Sequence, residues 1–205
     1  MRQRGRPFVD RLLPPALPGG PNALFSARLL AVVLAVALPT FASFALLHVK
    51  LGNRQLAMVQ TLAAAIVAGL LLVLKKGLPR APIAHATIVL VNAEICLVSA
   101  LYGGVRLPAL AFFAVTPMIA LMTVGRRAAM AWLGVGVGLI AVLTAAQAAG
   151  VSFPPPPPPS RWLDAASLSI LALVVLTLAA SHHALSQRAL ADLRTAGRSL
   201  RAALD

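Results

Sequence analysis

Residues 29–47 read LLAVVLAVALPTFASFALL, a run that contains no charged side chain. At 1.5 Å per residue, about 20 apolar residues cross the ~30 Å hydrocarbon core of a bilayer. Comparable runs recur along the chain, and they predict six membrane spans: 29–47, 55–74, 83–102, 108–124, 128–149 and 163–181. The sequence is 60% hydrophobic and only 11% charged, too few charges to cover a water-exposed surface. It therefore predicts an all-α, polytopic membrane protein with a six-helix transmembrane bundle.

Basic residues are unevenly distributed among the predicted loops. If residue 1 is cytoplasmic, only four of the 18 Lys and Arg residues lie outside: Lys50, Arg54, Arg106 and Arg161. The other 14 lie inside: Arg2, Arg4, Arg6, Arg11, Arg28, Lys75, Lys76, Arg80, Arg126, Arg127, Arg188, Arg194, Arg198 and Arg201. This bias is the positive-inside pattern, which predicts a bacterial inner-membrane protein with both termini in the cytoplasm. It also explains the net charge of +13, so no nucleic-acid partner is expected.

The chain divides into three expected regions. Residues 1–24 form a basic head, rich in Pro and Gly, that we expect to be flexible; residues 25–181 hold the six spans, and residues 182–205 form a cytoplasmic helix. The single Cys96 excludes a disulfide framework and a Cys-rich metal site.

The third span is unusual because polar residues lie on two of its faces. At 100° per residue, one stripe carries His85, Asn92, Cys96, Ser99 and Gly103, and the nearly opposite face carries Thr87 and Glu94. We therefore expect this span to be central in the bundle. Glu94 is placed at mid-membrane depth, where a charge costs at least about 2.5 kcal/mol, so we expect it to be neutral or to face a wet cavity. It fits a proton- or ligand-responsive site and a structural, hydrogen-bonded carboxyl equally well.

Other residues within the predicted spans have two interpretations each. Pro39 and Pro117 each remove a backbone hydrogen bond, which makes them hinge candidates or kinks that neighbouring groups satisfy. Gly134 and Gly138 form a small-xxx-small pair, which allows a close helix contact within the bundle or between subunits.

The histidines at the predicted inner ends are weak haem candidates. These are His85, His182 and His183. No pair has a diagnostic ligand spacing, so we expect no metal and no cofactor, with a haem-binding redox or sensor protein as an alternative.

The tail after the sixth span has the spacing of a short coiled coil. The a and d positions are occupied by Leu190, Leu193, Gly197, Leu200 and Leu204, with arginines between them. This pattern predicts the start of a homodimeric linker, and its continuation to Asp205 favours that interpretation. The alternative is a basic amphipathic helix on anionic lipid.

One short motif resembles a known family. The stretch Tyr102-Gly103-Gly104-Val105-Arg106-Leu107-Pro108, followed by Pro117 and by Gly125-Arg126, resembles the amino-terminal six-span sensor region of bacterial membrane histidine kinases, which also occurs ahead of cyclase outputs. The resemblance covers roughly residues 25–205. It implies a membrane-embedded sensory domain that passes a conformational change through span six to a cytoplasmic kinase or cyclase module.

Taken with the resemblance, the polar residues define candidates for signal sensing: Glu94, Asn92, His85, Gly103, Gly104 and Pro108. No Gly-rich phosphate loop, carboxylate pair or nucleophile–base signature is present, so we expect no catalytic activity from this chain. The main rival function is a small transporter or channel with a midplane site at Glu94.

Overall fold

The computed structural model describes residues 8–13, 21–101, 111–154 and 160–204, and every regular element in these ranges is helical. The helices are α1 (Phe8–Arg11), α2 (Pro21–Lys50), α3 (Arg54–Lys75), α4 (Arg80–Leu101), α5 (Val115–Thr123), α6 (Arg126–Ala148) and α7 (Ser160–Leu204). A 3₁₀ turn, Phe112–Ala114, precedes α5. The predicted all-α class is confirmed.

Five helices in the described ranges are long and apolar enough to cross a membrane. They are Ala23–Lys50, Arg54–Lys75, Arg80–Leu101, Arg126–Ala148 and Ser167–Ala184. Each overlaps one of the predicted spans. The predicted fourth span, 108–124, is represented by a shorter apolar helical segment, Phe112–Thr123, while residues 108–110 lie outside the described ranges. The protein is thus a helical membrane bundle with at least these five candidate spans.

The short turns on either side of α3 make α2, α3 and α4 successively antiparallel. The loop between α2 and α3 contains Gly52 at φ 72°, a left-handed conformation that glycine adopts without strain. The Asn53 side chain then caps α3, because its Oδ1 accepts a hydrogen bond from the backbone N–H of Leu56 at 3.2 Å. Gly77, at φ 83°, has the same role between α3 and α4.

The centre of the bundle is shared by α2 and α4. In their apolar stretches 44% and 39% of the residues are buried, against 11% in α6 and 6% in α7. Helix α2 packs against α3, α4, α5 and α7, and α4 packs against α2, α3 and α5. The third span was expected to be central, and the first span occupies an equally central place.

The segments predicted to be cytoplasmic meet at one end of the bundle, which we call the Lys75 end. There the Arg80 guanidinium donates a hydrogen bond to the carbonyl oxygen of Ala23. The ring of His182 packs edge-on against Phe25, with 5.8 Å between ring centroids, which brings α7 to the start of α2. The opposite end, where α2 turns into α3, is the Lys50 end.

Part of the amino-terminal head packs against this Lys75 end. Residues 8–13, which fall within the segment predicted to be flexible, form α1 and a following turn that contact α2. Leu13 is buried, and both Asp10 carboxylate oxygens accept hydrogen bonds from Arg28, at 2.7 and 3.0 Å. A bidentate pair of this kind fixes the orientation of the turn on the helix.

Candidate functional site

Glu94 has a partner on the neighbouring helix. The side-chain amide Nε2 of Gln60, on α3, donates a hydrogen bond to Oε1 of Glu94, on α4. Gln60 is 2% exposed, and Glu94 is half-buried. Along the helix axes, Gln60 lies about 9 Å from Arg54 and Glu94 lies about 21 Å from Arg80. The pair therefore lies in the half of the bundle nearer the Lys50 end, and the depth of Glu94 in the membrane stays a prediction.

The other polar stripe of α4 is buried but unpaired. Asn92 is 4% exposed and Ser99 is 2% exposed. Neither the Nδ2 and Oδ1 atoms of Asn92 nor the Oγ of Ser99 has a hydrogen-bond partner within the part of the chain that the structure describes. Cys96, which is half-buried, lies between them on the same stripe. Asn92 and Glu94 are about 160° apart around the helix, so they belong to different interfaces.

Buried threonines of α4 and α5 behave differently. The hydroxyls of Thr87 and Thr123 donate to the carbonyl oxygens of Ile83 and Ile119, one turn earlier in the same helix, at 2.8 and 2.7 Å. A hydroxyl bonded in this way needs no partner on another helix. The carboxamides of Gln60 and Asn92 make no such bond to their own helix in the described ranges.

The unpaired polar atoms and the two apolar clusters lie mainly toward opposite ends of the bundle. One apolar cluster contains Leu30, Leu34, Leu74 and Ile83. The second cluster joins α2, α4, α5, α6 and α7, through Val33, Ile88, Ile119, Ala129 and Leu178. The unpaired polar atoms of Gln60, Asn92 and Ser99 all lie toward the Lys50 end.

The histidine candidates contact different partners on different helices. The indole Nε1 of Trp132, on α6, donates to Nδ1 of His85 at 3.0 Å, which gives the face of α4 opposite Glu94 its own partner. His182 packs against Phe25, and His183 is exposed. In the described ranges, no group of three or more His, Cys, Asp or Glu side chains is arranged to hold a metal ion.

The two prolines have different surroundings. Pro117 lies in the first turn of α5, and the carbonyl of Phe113, which its missing N–H leaves free, accepts a hydrogen bond from Thr116 Oγ1 at 3.0 Å. This arrangement favours the satisfied kink over the hinge at Pro117. Pro39 lies on the exposed side of α2, a helix that continues without a break for 30 residues.

The glycines of α6 divide between the inside and the outside. A Cβ added to Gly136 would lie 3.7 Å from the Phe113 Cβ, an ordinary van der Waals contact, so Gly136 faces Phe113 within the bundle. Around Gly134 and Gly138 there is open space, and the predicted small-xxx-small pair therefore faces away from the bundle.

The last span and the tail form one helix. Helix α7 runs for 45 residues, with Leu178 1% exposed in the second apolar cluster and Leu190 48% exposed. The side chains of Leu193, Leu200 and Leu204 lie outside the described part, as do residues Gly103, Gly104 and Pro108. The predicted seam and the predicted glycine turn stay predictions.

Sequence reasoning missed Gln60 and Trp132 as partners. Gln60 is the one carboxamide well inside the second predicted span, and a polar side chain isolated among apolar residues indicates a partner on another helix. Trp132 lies near the start of the predicted span 128–149, where its ring fits the membrane interface, and nothing in the sequence pairs it with His85. No family of known proteins, no curated protein and no solved structure matches the chain.

Proposed function

We propose that this chain is the membrane-embedded sensory and anchoring part of a bacterial signal-transduction protein of the histidine-kinase type. In this proposal it crosses the inner membrane six times, keeps both ends in the cytoplasm and forms a homodimer. A change in helix packing passes through α7 to a cytoplasmic kinase or cyclase module.

The observation that carries the proposal is the way α7 is attached. Leu178 packs in the same apolar cluster as Ile88 of α4, and the helix then continues without interruption into the polar tail. In this proposal a displacement of α4 is therefore transmitted to α7, which extends beyond the apolar core, because packed side chains shift together rather than deform. Ile88 lies one turn from Asn92 on α4, so the polar stripe lies next to the apolar cluster that includes Leu178 of α7.

Helix phase provides the test. The chain is fused to a kinase module, and one to seven residues are inserted after Ala189, within α7. Each residue rotates the output by about 100°, and seven residues complete nearly two turns and restore the heptad register of the predicted linker, so kinase activity should oscillate with a period of about seven residues. As a matched pair, Ala189→Pro should uncouple the output because it breaks the helix, and Ala189→Leu should not. Equal activity across all seven insertions would contradict the proposal and leave the tail as a lipid-binding helix.

A transporter or channel is the second candidate, and the polar pair between α3 and α4 favours it. Gln60 and Glu94 join two helices within the predicted membrane region, where acidic side chains commonly mark substrate or ion routes. Flux of a substrate or an ion across the membrane of liposomes that contain the protein would support this candidate if the Glu94→Gln variant lost that flux. A flat insertion series together with such a flux would replace the sensor proposal.

A further inference from the structure

Gln60 has a buried side-chain oxygen that lacks a hydrogen-bond donor. Its Nε2 donates a hydrogen bond to Oε1 of Glu94, but its own Oε1 has no hydrogen-bond partner within the described ranges. Gln60 is 2% exposed, and an unsatisfied buried polar atom costs about 1–3 kcal/mol. Lipid chains and apolar side chains cannot donate a hydrogen bond, so the missing donor has to come from a polar group that lies against this carboxamide.

The carboxyl group of Glu94 is the polar group already bonded to Gln60. An ionised carboxylate only accepts hydrogen bonds, whereas a protonated carboxyl also carries one O–H donor. The Oε1 and Nε2 atoms of Gln60 share one carbon, as do the two oxygens of Glu94, so the two planar groups can meet edge to edge. The amide N–H and the acid O–H then each make a bond, and both groups are neutral.

We infer that Glu94 is a proton-binding site and that the bound proton is shared with Gln60 of the neighbouring helix. The Nε2–H of Gln60 donates to Oε1 of Glu94, and the proton held on Oε2 of Glu94 donates to Oε1 of Gln60. The proton, taken up from the aqueous phase, forms one O–H bond and removes a charge from a predicted membrane span. When the proton leaves, Gln60 Oε1 again lacks a donor, so the hydrogen bonding between α3 and α4 changes.

The other ionisable groups of the helices around the pair do not supply a counter-ion. They are Arg28, His48 and Lys50 on α2, Arg54 and Lys75 on α3, and Arg80, His85 and Cys96 on α4, while α5 contains none. Arg54 is the nearest charge on α3, and it lies about 9 Å from Gln60 along the helix axis. Within the described part of the chain no basic side chain forms an ion pair with Glu94. A proton is therefore the cation that neutralises this carboxyl.

Infrared spectroscopy can observe this proton directly, because Glu94 is the single glutamate of the chain. The full chain is made by cell-free synthesis with glutamate that carries ¹³C in its side-chain carboxyl group, and it is reconstituted in liposomes at neutral pH. The difference between the spectra of labelled and unlabelled protein then contains the bands of Glu94 alone. We expect the C=O band of a protonated carboxyl, which lies at a higher frequency than the bands of a carboxylate.

The position of that band reports on the bond to Gln60. Hydrogen bonding lowers the frequency of a carboxyl C=O stretch, so the Glu94 band should lie below that of monomeric propionic acid with the same label in heptane. In Gln60→Leu both bonds are lost, and the band should shift to higher frequency. Thr61→Val is the matched control and should leave the band in place, because the Thr61 hydroxyl donates to Ala57 of its own helix.

Two results would overturn the inference. One is a carboxylate band at neutral pH in place of the protonated band. The other is a protonated band at the frequency of free propionic acid, or one that Gln60→Leu does not shift, since the proton would then not be shared. The wild-type spectra decide both points even if Gln60→Leu does not fold. The inference rests on neither proposed function, so the spectra and the insertion series can fail separately.

Discussion

Replacing Glu94 by leucine should leave the side chain of Gln60 without its hydrogen-bond partner. Gln60 is 2% exposed, and its Oε1 has no partner in the described ranges, so loss of Glu94 leaves its Nε2 unsatisfied as well. A buried polar group without a partner costs about 1–3 kcal/mol. We therefore expect Glu94→Leu to lower the free energy of unfolding by that amount. The double variant Gln60→Leu/Glu94→Leu should recover most of the loss, since both partners are then apolar.

The coupling between the two residues can be measured by a double-mutant cycle in bicelles, with unfolding followed by steric trapping. Side-chain hydrogen bonds between membrane helices average about 0.6 kcal/mol and reach about 1.7 kcal/mol, and we expect a value in that range. Thr61→Val is the matched control: its hydroxyl donates to Ala57 of its own helix at 2.8 Å, so its coupling to Glu94 should be zero.

Conservative and charged changes at Glu94 complete the test. Glu94→Gln keeps the volume and the hydrogen-bonding capacity and should preserve folding, whereas Glu94→Lys introduces a charge beside a buried amide and should disrupt it. The reasoning is refuted if the coupling to Gln60 is within about 0.3 kcal/mol of zero, the usual error of such cycles. Equal stability of the Gln and Lys variants would show that the side chain faces water.

Three further outcomes follow from the fold and the proposed topology. Cysteines placed at Ser160 and Ser199 in a Cys96→Ala background should react with impermeant reagent from opposite sides, and reaction of both from one side would refute two cytoplasmic termini. Leu178→Ala should lower the free energy of unfolding by about 2 kcal/mol, the low end of the range for a buried leucine, because lipid is as apolar as the core. The control is Leu176→Ala, at a 66% exposed site, which should leave that free energy unchanged in the same assay. Trp132→Phe should cost about 1 kcal/mol through loss of its bond between α6 and α4, and no change in unfolding would refute that bond.

The five long apolar helices and the all-α class could be derived from the sequence because both depend on local composition. A helix is the solution that satisfies every backbone group within one segment, and bilayer thickness then sets its length. The pairing of side chains between helices, in contrast, does not depend on local composition. Gln60 and Glu94 are 34 residues apart, and their contact depends on how α3 and α4 are rotated about their axes. The sequence places Glu94 on a face of α4 but does not say which helix that face meets.

Helix boundaries were also beyond local reasoning. Helix α4 begins at Arg80, a few residues before the predicted start of span three, and the Arg80 guanidinium donates to the carbonyl oxygen of Ala23, 57 residues away in sequence. A 3₁₀ turn ends just before α5 and places Pro117 in the first turn of that helix. Neither the distant contact nor the change of helix type is marked in the local composition.

Helix α4 carries both an unpaired polar residue and part of an apolar cluster. Asn92 has no hydrogen-bond partner in the described ranges, and Ile88, one turn away, packs in the cluster that holds Leu178 of α7. A ligand that satisfies Asn92 in only one packing of the helices biases that packing by its differential affinity, and a ligand that binds both packings equally has no effect. At the Lys75 end, Arg80 is tied to Ala23, which limits sliding of α4 along α2 and leaves rotation or tilt as the motion that reaches Leu178. In the proposed sensor, this motion reaches α7 through α2, which packs against both helices. A rotation of α7 about its own axis is the change that the insertion series measures, in steps of about 100°.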